Sequence, residues 1–199
     1  MDASHWNERY ATAEYVWKAD PNVFLVAETE GLPPGRALDL ACGEGRNAVW
    51  LAEQGWDATG VDFSDAGLEK GHRLAADRGV EVEWVCADAT AWDPPADGYD
   101  FVAVFYLQLP PEERRRAMGI AGRALAPNGT LLVVAHDSAN LTGGVGGPQD
   151  PAVLYTPDDV LADLAAAGID ATVERAETIE RPVAGADRPA LDCLVRARR

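Results

Sequence analysis

The chain has 199 residues, with 33 Asp and Glu against 17 Lys and Arg and a formal net charge of −16. That length suits one α/β domain with a full core, and that charge excludes a surface built to grip nucleic acid. No apolar run reaches membrane-spanning length, and no basic segment followed by an apolar stretch opens the chain, so no membrane partner is expected and the cytoplasm is the expected location. Cys42, Cys86 and Cys193 have neither metal-ligand nor disulfide-framework spacing, so no metal is expected. Cys42 and Cys86 end apolar runs, where cysteine serves as a small buried hydrophobe. The arginines at 196, 198 and 199 read as a solvated strand end.

Residues 4–30 read as two short helices. Ser4 is a candidate cap for the first, and Trp6, Tyr10, Ala13 and Trp17 recur at helical spacing. The second follows Asp20-Pro21 and closes at Gly31, and Pro33-Pro34-Gly35 then breaks the pattern. This predicts an N-terminal helical arm over 1–34 and a sheet domain over 35–199. The arm's dense aromatics, Trp6, Tyr10, Tyr15 and Trp17, either staple it to the sheet or line a ligand site as a lid. Trp17 is the candidate for cofactor contact.

Strands and helices alternate from Gly35 onward. Strands are expected at 37–41, 57–62, 80–86, 99–106 and 130–135. Helices are expected near 45–54, 65–78 (Ser64 as N-cap, Gly79 beyond its end), from Pro110, and from Thr156 with a capping-box start. Val80, Val82, Trp84 and Cys86 are expected on one strand face. Runs near 171–181 and 190–197 lack a helix between them, so one of the two must be antiparallel in an otherwise parallel sheet. The segment His136–Tyr155, with four glycines, is too long for an ordinary connection. It reads as either a lid or a disordered connector.

Chemistry concentrates at strand ends. The run Leu38-Asp39-Leu40-Ala41-Cys42-Gly43-Glu44-Gly45 ends a strand in a Gly-x-Gly turn and opens a helix, an arrangement that faces backbone N–H groups toward a ligand. Asp62 and Asp88 follow the next two strands, so three acids converge on the carboxyl edge where open α/β sheets bind ligands. Gly43-x-Gly45-x-x-Ala48 with Asp62 also satisfies the looser dinucleotide fingerprint, which keeps a nicotinamide-binding protein as an alternative. Asp39 has no part in that fingerprint, and the chain has no room for a separate catalytic domain.

These motifs resemble the S-adenosylmethionine (SAM)-dependent methyltransferases of class I. Leu38–Gly45 resembles their first motif, Val61-Asp62-Phe63-Ser64 their ribose motif, Cys86-Ala87-Asp88-Ala89 their adenine motif, and Tyr99–Tyr106 their fourth strand. Gly43–Ala48, with Trp56-Asp57, is most similar to the tellurite-resistance and thiopurine S-methyltransferase-like branch. The resemblance implies a three-layer, Rossmann-like, seven-stranded, mostly parallel sheet with its last strand antiparallel. It implies SAM as cofactor, with Asp39 near the methionine amine and the backbone of Ala41, Gly43 and Gly45 around the methionyl and ribose part. Asp62 would hold the ribose hydroxyls and Phe63 would pack on adenine. Ala87, Asp88 and Ala89 would line the adenine edge, and Phe105 and Tyr106 would pass beside the sulfonium. Ala41 departs from the glycine commonest there.

The expected reaction moves a methyl group to a small-molecule acceptor through an S, N, O or chalcogen nucleophile. Tyr106, Gln108, His136 and the aromatic arm are candidates for the acceptor pocket, and His136 and Tyr106 are the candidate catalytic groups. Asp137 either orients His136 or caps a turn. Methylation of a protein and SAM binding without transfer, as in a sensor or accessory protein, are the other readings.

Overall fold

The computed structural model describes residues 3–11, 15, 16 and 19–199. Its sheet has seven strands in the order β3-β2-β1-β4-β5-β7-β6. The strands are β1 (Arg36–Leu40), β2 (Asp57–Asp62), β3 (Glu83–Cys86), β4 (Tyr99–Phe105), β5 (Leu125–His136), β6 (Thr172–Arg181) and β7 (Ala190–Arg198). β1 pairs in parallel with β2 and β4, and β7 runs antiparallel to both β5 and β6, as the missing final helix requires. Among the described residues no helix is long and apolar enough to cross a membrane.

The helices are α1 (Ala3–Tyr10), α2 (Val23–Thr29), α3 (Arg46–Glu53), α4 (Asp65–Arg78), α5 (Pro111–Ala124), α6 (Asn140–Gly143) and α7 (Pro157–Ala166). Central strands carry continuous apolar runs, such as 101–105 in β4 and 131–135 in β5, because both faces are covered. In β4, Val102 and Val104 face Met118 and Ile120 of α5 and Val160 and Leu164 of α7. Phe101, Ala103 and Phe105 face the opposite layer, with Leu25 of α2 and Leu51 of α3. Three layers result.

Local chemistry sets most ends. The Ser64 hydroxyl accepts from the Gly67 amide (3.1 Å), and Gly79 closes α4 in the left-handed region. Thr156 and Asp159 form a reciprocal capping box on α7. Three expectations need correction. The first helix runs from Ala3 to Tyr10, so Ser4 lies within it and does not cap it, while Ala13 and Trp17 lie outside the described residues. β3 begins at Glu83, because the Val80 amide donates back to the Ala75 carbonyl and is consumed in terminating α4. Cys86 is exposed at the end of an edge strand, not a buried hydrophobe.

The segment after β5 is a structured connection rather than a disordered one. It holds α6 and a 3₁₀ turn at Pro151–Val153. Asn140, itself buried, accepts from the Leu191 amide (2.8 Å) and donates to the Gly146 carbonyl (2.9 Å).

Candidate cofactor and acceptor site

β1, β4, β5 and β6 end on one edge of the sheet, and antiparallel β7 begins there; the site lies along this edge. Asp39 is the penultimate residue of β1, beside Gly60 of β2 and Ala103 of β4. It is 1 % exposed, and neither carboxylate oxygen makes a hydrogen bond of normal geometry, the Ala48 amide approaching it only loosely. Burial pushes its pKa up to about 7; the Ala48 amide and the Arg46 charge at the head of α3 temper the rise. A carboxyl buried in this way is costly to ionise unless a donor reaches it.

The turn that follows is strained and clamped. Ala41 has φ +62°, which costs a side-chain-bearing residue about 1 kcal/mol and explains why glycine is common at this position. Gly43 (φ +56°) donates its N–H to Asp62 Oδ2 (2.8 Å), while Asp62 Oδ1 accepts from the Ser64 amide (2.9 Å). Burial raises the Asp62 pKa, and these backbone donors oppose the rise. Each of its oxygens keeps a second lone pair for a ligand hydroxyl. Gly45 is the left-handed N-cap of α3 (φ +76°), and a methyl group there would lie 2.3 Å from the Trp84 ring. That indole also crowds Gly60, its register partner, and Gly71 of α4, where added methyl groups would each fall 2.6 Å from it. Three glycines from three elements thus form a slot for one side chain beneath the turn, which a motif reading would not reveal.

The N-terminal arm lies over the same turn. A methyl group on Gly43 would sit 2.7 Å from the Tyr10 hydroxyl. Asn7 Oδ1 accepts from Ser64 Oγ (2.6 Å). Glu44 Oε1 accepts from the Val16 amide (3.0 Å) and the Lys70 ammonium (2.7 Å), an ion pair only 3 % exposed on both sides. Asn47 Oδ1 accepts from the Asn22 amide (3.0 Å).

The expected adenine end is more open. Phe63 is half-buried, Ala87 donates its amide to the Asp62 carbonyl (3.0 Å), and Ala89 is buried. Asp88 is exposed, and its Oδ1 accepts from the Thr90 amide (2.7 Å) and hydroxyl (2.8 Å), closing a turn with one oxygen and leaving the other.

Beyond β4 lies a polar cluster. Phe105 is buried; Tyr106 is left-handed (φ +54°) and donates its hydroxyl to Asp192 Oδ2 (2.7 Å). Arg181 Nε donates to the same oxygen (2.7 Å), and His136 Nδ1 lies 3.2 Å from Asp192 Oδ1. Burial pulls the Asp192 carboxyl upward, but the His136, Arg181 and Tyr106 donors outweigh it and hold the pKa below its ordinary value. Burial and the neighbouring Asp192 charge push the Tyr106 phenol far up, so it stays protonated.

Of its two expected roles Asp137 takes the turn and does not orient His136: it accepts from the Ala139 amide and the Thr178 hydroxyl, both at 2.8 Å. Gln108 anchors the chain, its side chain joining the His136 amide (2.8 Å) to the Val153 carbonyl (2.6 Å). Asp192 and Arg181 escaped sequence reasoning. The only signal was an acid within the apolar strand run 190–195.

Residues 37–129 match the family model described as a methyltransferase domain. Thiopurine S-methyltransferase of Pseudomonas entomophila is 32 % identical over 167 residues, covering 72 % of this chain and 76 % of that protein. The chain belongs to the SAM-dependent methyltransferase family. This sets aside the nicotinamide alternative. Demethylmenaquinone methyltransferase of Thermus thermophilus is 37 % identical over 103 residues, 51 % of this chain, and the chain spans only 47 % of that relative's length. A SAM-dependent methyltransferase structure from Methanosarcina mazei superposes with a TM-score of 0.71 at 16 % identity, covering 90 % of this chain and 98 % of that one. That likeness confirms the three-layer fold and its antiparallel seventh strand.

Proposed function

We propose that this methyltransferase moves the methyl group of SAM to a small-molecule acceptor by in-line displacement. The observation that carries the reading is Asp39: a buried, unpartnered carboxylate beside a left-handed glycine turn, with Asp62 anchoring that turn from the end of the neighbouring strand. The residues fit the cofactor. Asp39 would receive the methionine ammonium, the remaining lone pairs of Asp62 the ribose hydroxyls, and Phe63 with Ala87–Ala89 the adenine. When bound, SAM supplies an electrophilic methyl on a sulfonium that leaves without needing a proton. The protein's part is therefore to position and to exclude water; oriented reactions gain roughly 7–11 kcal/mol this way.

Two further features support the reading. The arm over 1–34, with Tyr10 resting on Gly43, suits a cover over the cofactor end. The Pseudomonas relative is named for a small sulfur acceptor, which favours a small molecule over a protein or nucleic acid. Three unpaired cysteines suit a reducing cytoplasm as the place of work.

The test has two stages. SAM at saturating concentration should raise the melting temperature of the full chain, and absence of any rise would overturn the cofactor assignment. Radiolabelled SAM offered with small thiols, phenols, amines and chalcogen oxyanions should then label one class. A chain stabilised by SAM that labels none of them would instead be a sensor.

A further inference from the structure

The cluster at the far end of the sheet edge is assembled from four strands: Tyr106 after β4, His136 ending β5, Arg181 ending β6 and Asp192 of β7. Asp192 is fully buried; its Oδ2 accepts from Tyr106 and Arg181, and its Oδ1 faces the His136 ring at 3.2 Å. His136 is held on several sides. Its backbone N–H is fixed by Gln108, its ring lies 4.9 Å from the Tyr106 ring, and Gly147 covers it so closely that a methyl group there would fall 2.9 Å from Cγ and Nδ1. Nδ1 is buried, whereas the side chain as a whole keeps 14 % exposure, so its open part lies away from Asp192.

Nδ1 and Asp192 Oδ1 lie 3.2 Å apart, within hydrogen-bond reach, and neither has another partner. Catalytic hydrogen bonds are commonly this long until a substrate seats. β1 pairs with β4 and β4 with β5, so Asp39 and the cluster lie along the same carboxyl edge, and the Arg46 charge at the head of α3 is felt by Asp39, Tyr106 and Arg181 alike.

We propose that His136 is the base that takes the proton of the methyl acceptor, that Asp192 is its positioning residue, and that the acceptor is a neutral O–H or S–H nucleophile rather than a preformed anion. This rests on the methyltransferase reading. As the acceptor's lone pair closes on the methyl carbon, the carbon–sulfonium bond breaks and leaves a neutral thioether. The acceptor's proton passes to Nε2 of His136, and the imidazolium so formed is balanced by Asp192. Arg181 and the protonated Tyr106 hold Asp192 ionised and in place, since both bind Oδ2 and leave Oδ1 to the ring.

Two readouts test this. The first is the tautomer of His136 from imidazole ¹⁵N spectra of the full chain; with three histidines in the sequence, His136→Gln assigns the resonance. The neutral ring should carry its proton on Nδ1, and Asp192→Asn should shift that population. A ring protonated on Nε2 in the wild type, or one indifferent to Asp192→Asn, overturns the proposal without touching the cofactor assignment. The second readout compares 2-naphthol, protonated at neutral pH, with 4-nitrothiophenol, ionised there. His136→Gln should cut kcat on the former by about 10²–10⁴-fold and abolish its acid limb, leave the latter within threefold, and preserve stabilisation by SAM. Equal losses on both probes, or none on either, overturn the base.

Discussion

Asp39 should make this protein less stable as pH rises toward neutrality, and SAM should reverse that trend. Its native pKa is about 7 against an ordinary 3.8. Between those values the native state binds more protons than the unfolded chain, so stability falls with rising pH. The whole difference amounts to roughly 4 kcal/mol, and the part lost between pH 5 and pH 8 is roughly 2–3 kcal/mol. Asp39→Asn removes the ionisation but leaves a buried amide of the same shape. Urea unfolding of both proteins from pH 5 to 8 should show the wild type losing about that much stability relative to the variant. The cofactor's ammonium requires the ionised carboxylate, so the affinity of the wild type for SAM should rise about 20-fold from pH 5.5 to 7.5, following the ionised fraction. In Asp39→Asn the affinity should be weak and flat with pH. Parallel stability curves for the two proteins, or equal SAM affinities at pH 7.5, would refute the role given to Asp39.

Two other substitutions probe the frame around the site. Gly45→Ala puts a methyl group into the Trp84 ring on a left-handed backbone and should cost about 2–4 kcal/mol by chemical denaturation; Trp84→Leu in the same chain should recover part of it, and strict additivity would deny the contact. Arg114, buried in α5, donates from Nε to Asp163 of α7 (2.6 Å), with Arg115 3.5 Å from the other Asp163 oxygen, so Arg114→Met should cost about 2–4 kcal/mol, whereas Arg114→Met with Asp163→Leu should restore much of that loss; a double variant no more stable than the single one would contradict a stabilising role confined to this cluster.

Much of the fold was legible because its signals are local. Ser64, Gly79, Thr156 and Asp159 end or begin helices through bonds spanning a few residues, and apolar strand runs report burial on both faces. Where such signals competed, the reading slipped. Val80 suits a strand by type, but termination of α4 claimed its amide. The acids at strand ends were visible for the same local reason, yet their states were not: Asp39 stands without a partner, while Asp88 spends one oxygen on Thr90.

By itself, then, the sequence determined the alternation that makes a parallel sheet, the antiparallel strand forced by a missing helix, and the glycine turn with Asp39 and Asp62 at its sides. Those follow from periodicity, turn chemistry and the short reach of helix caps. Only the tertiary structure decided that Trp84 lies under Gly45, that Tyr10 lies on Gly43, and that His136 faces Asp192 rather than its neighbour Asp137. Each of those contacts joins residues more than thirty positions apart. Strand order sets such distances, and no local pattern in the chain encodes them.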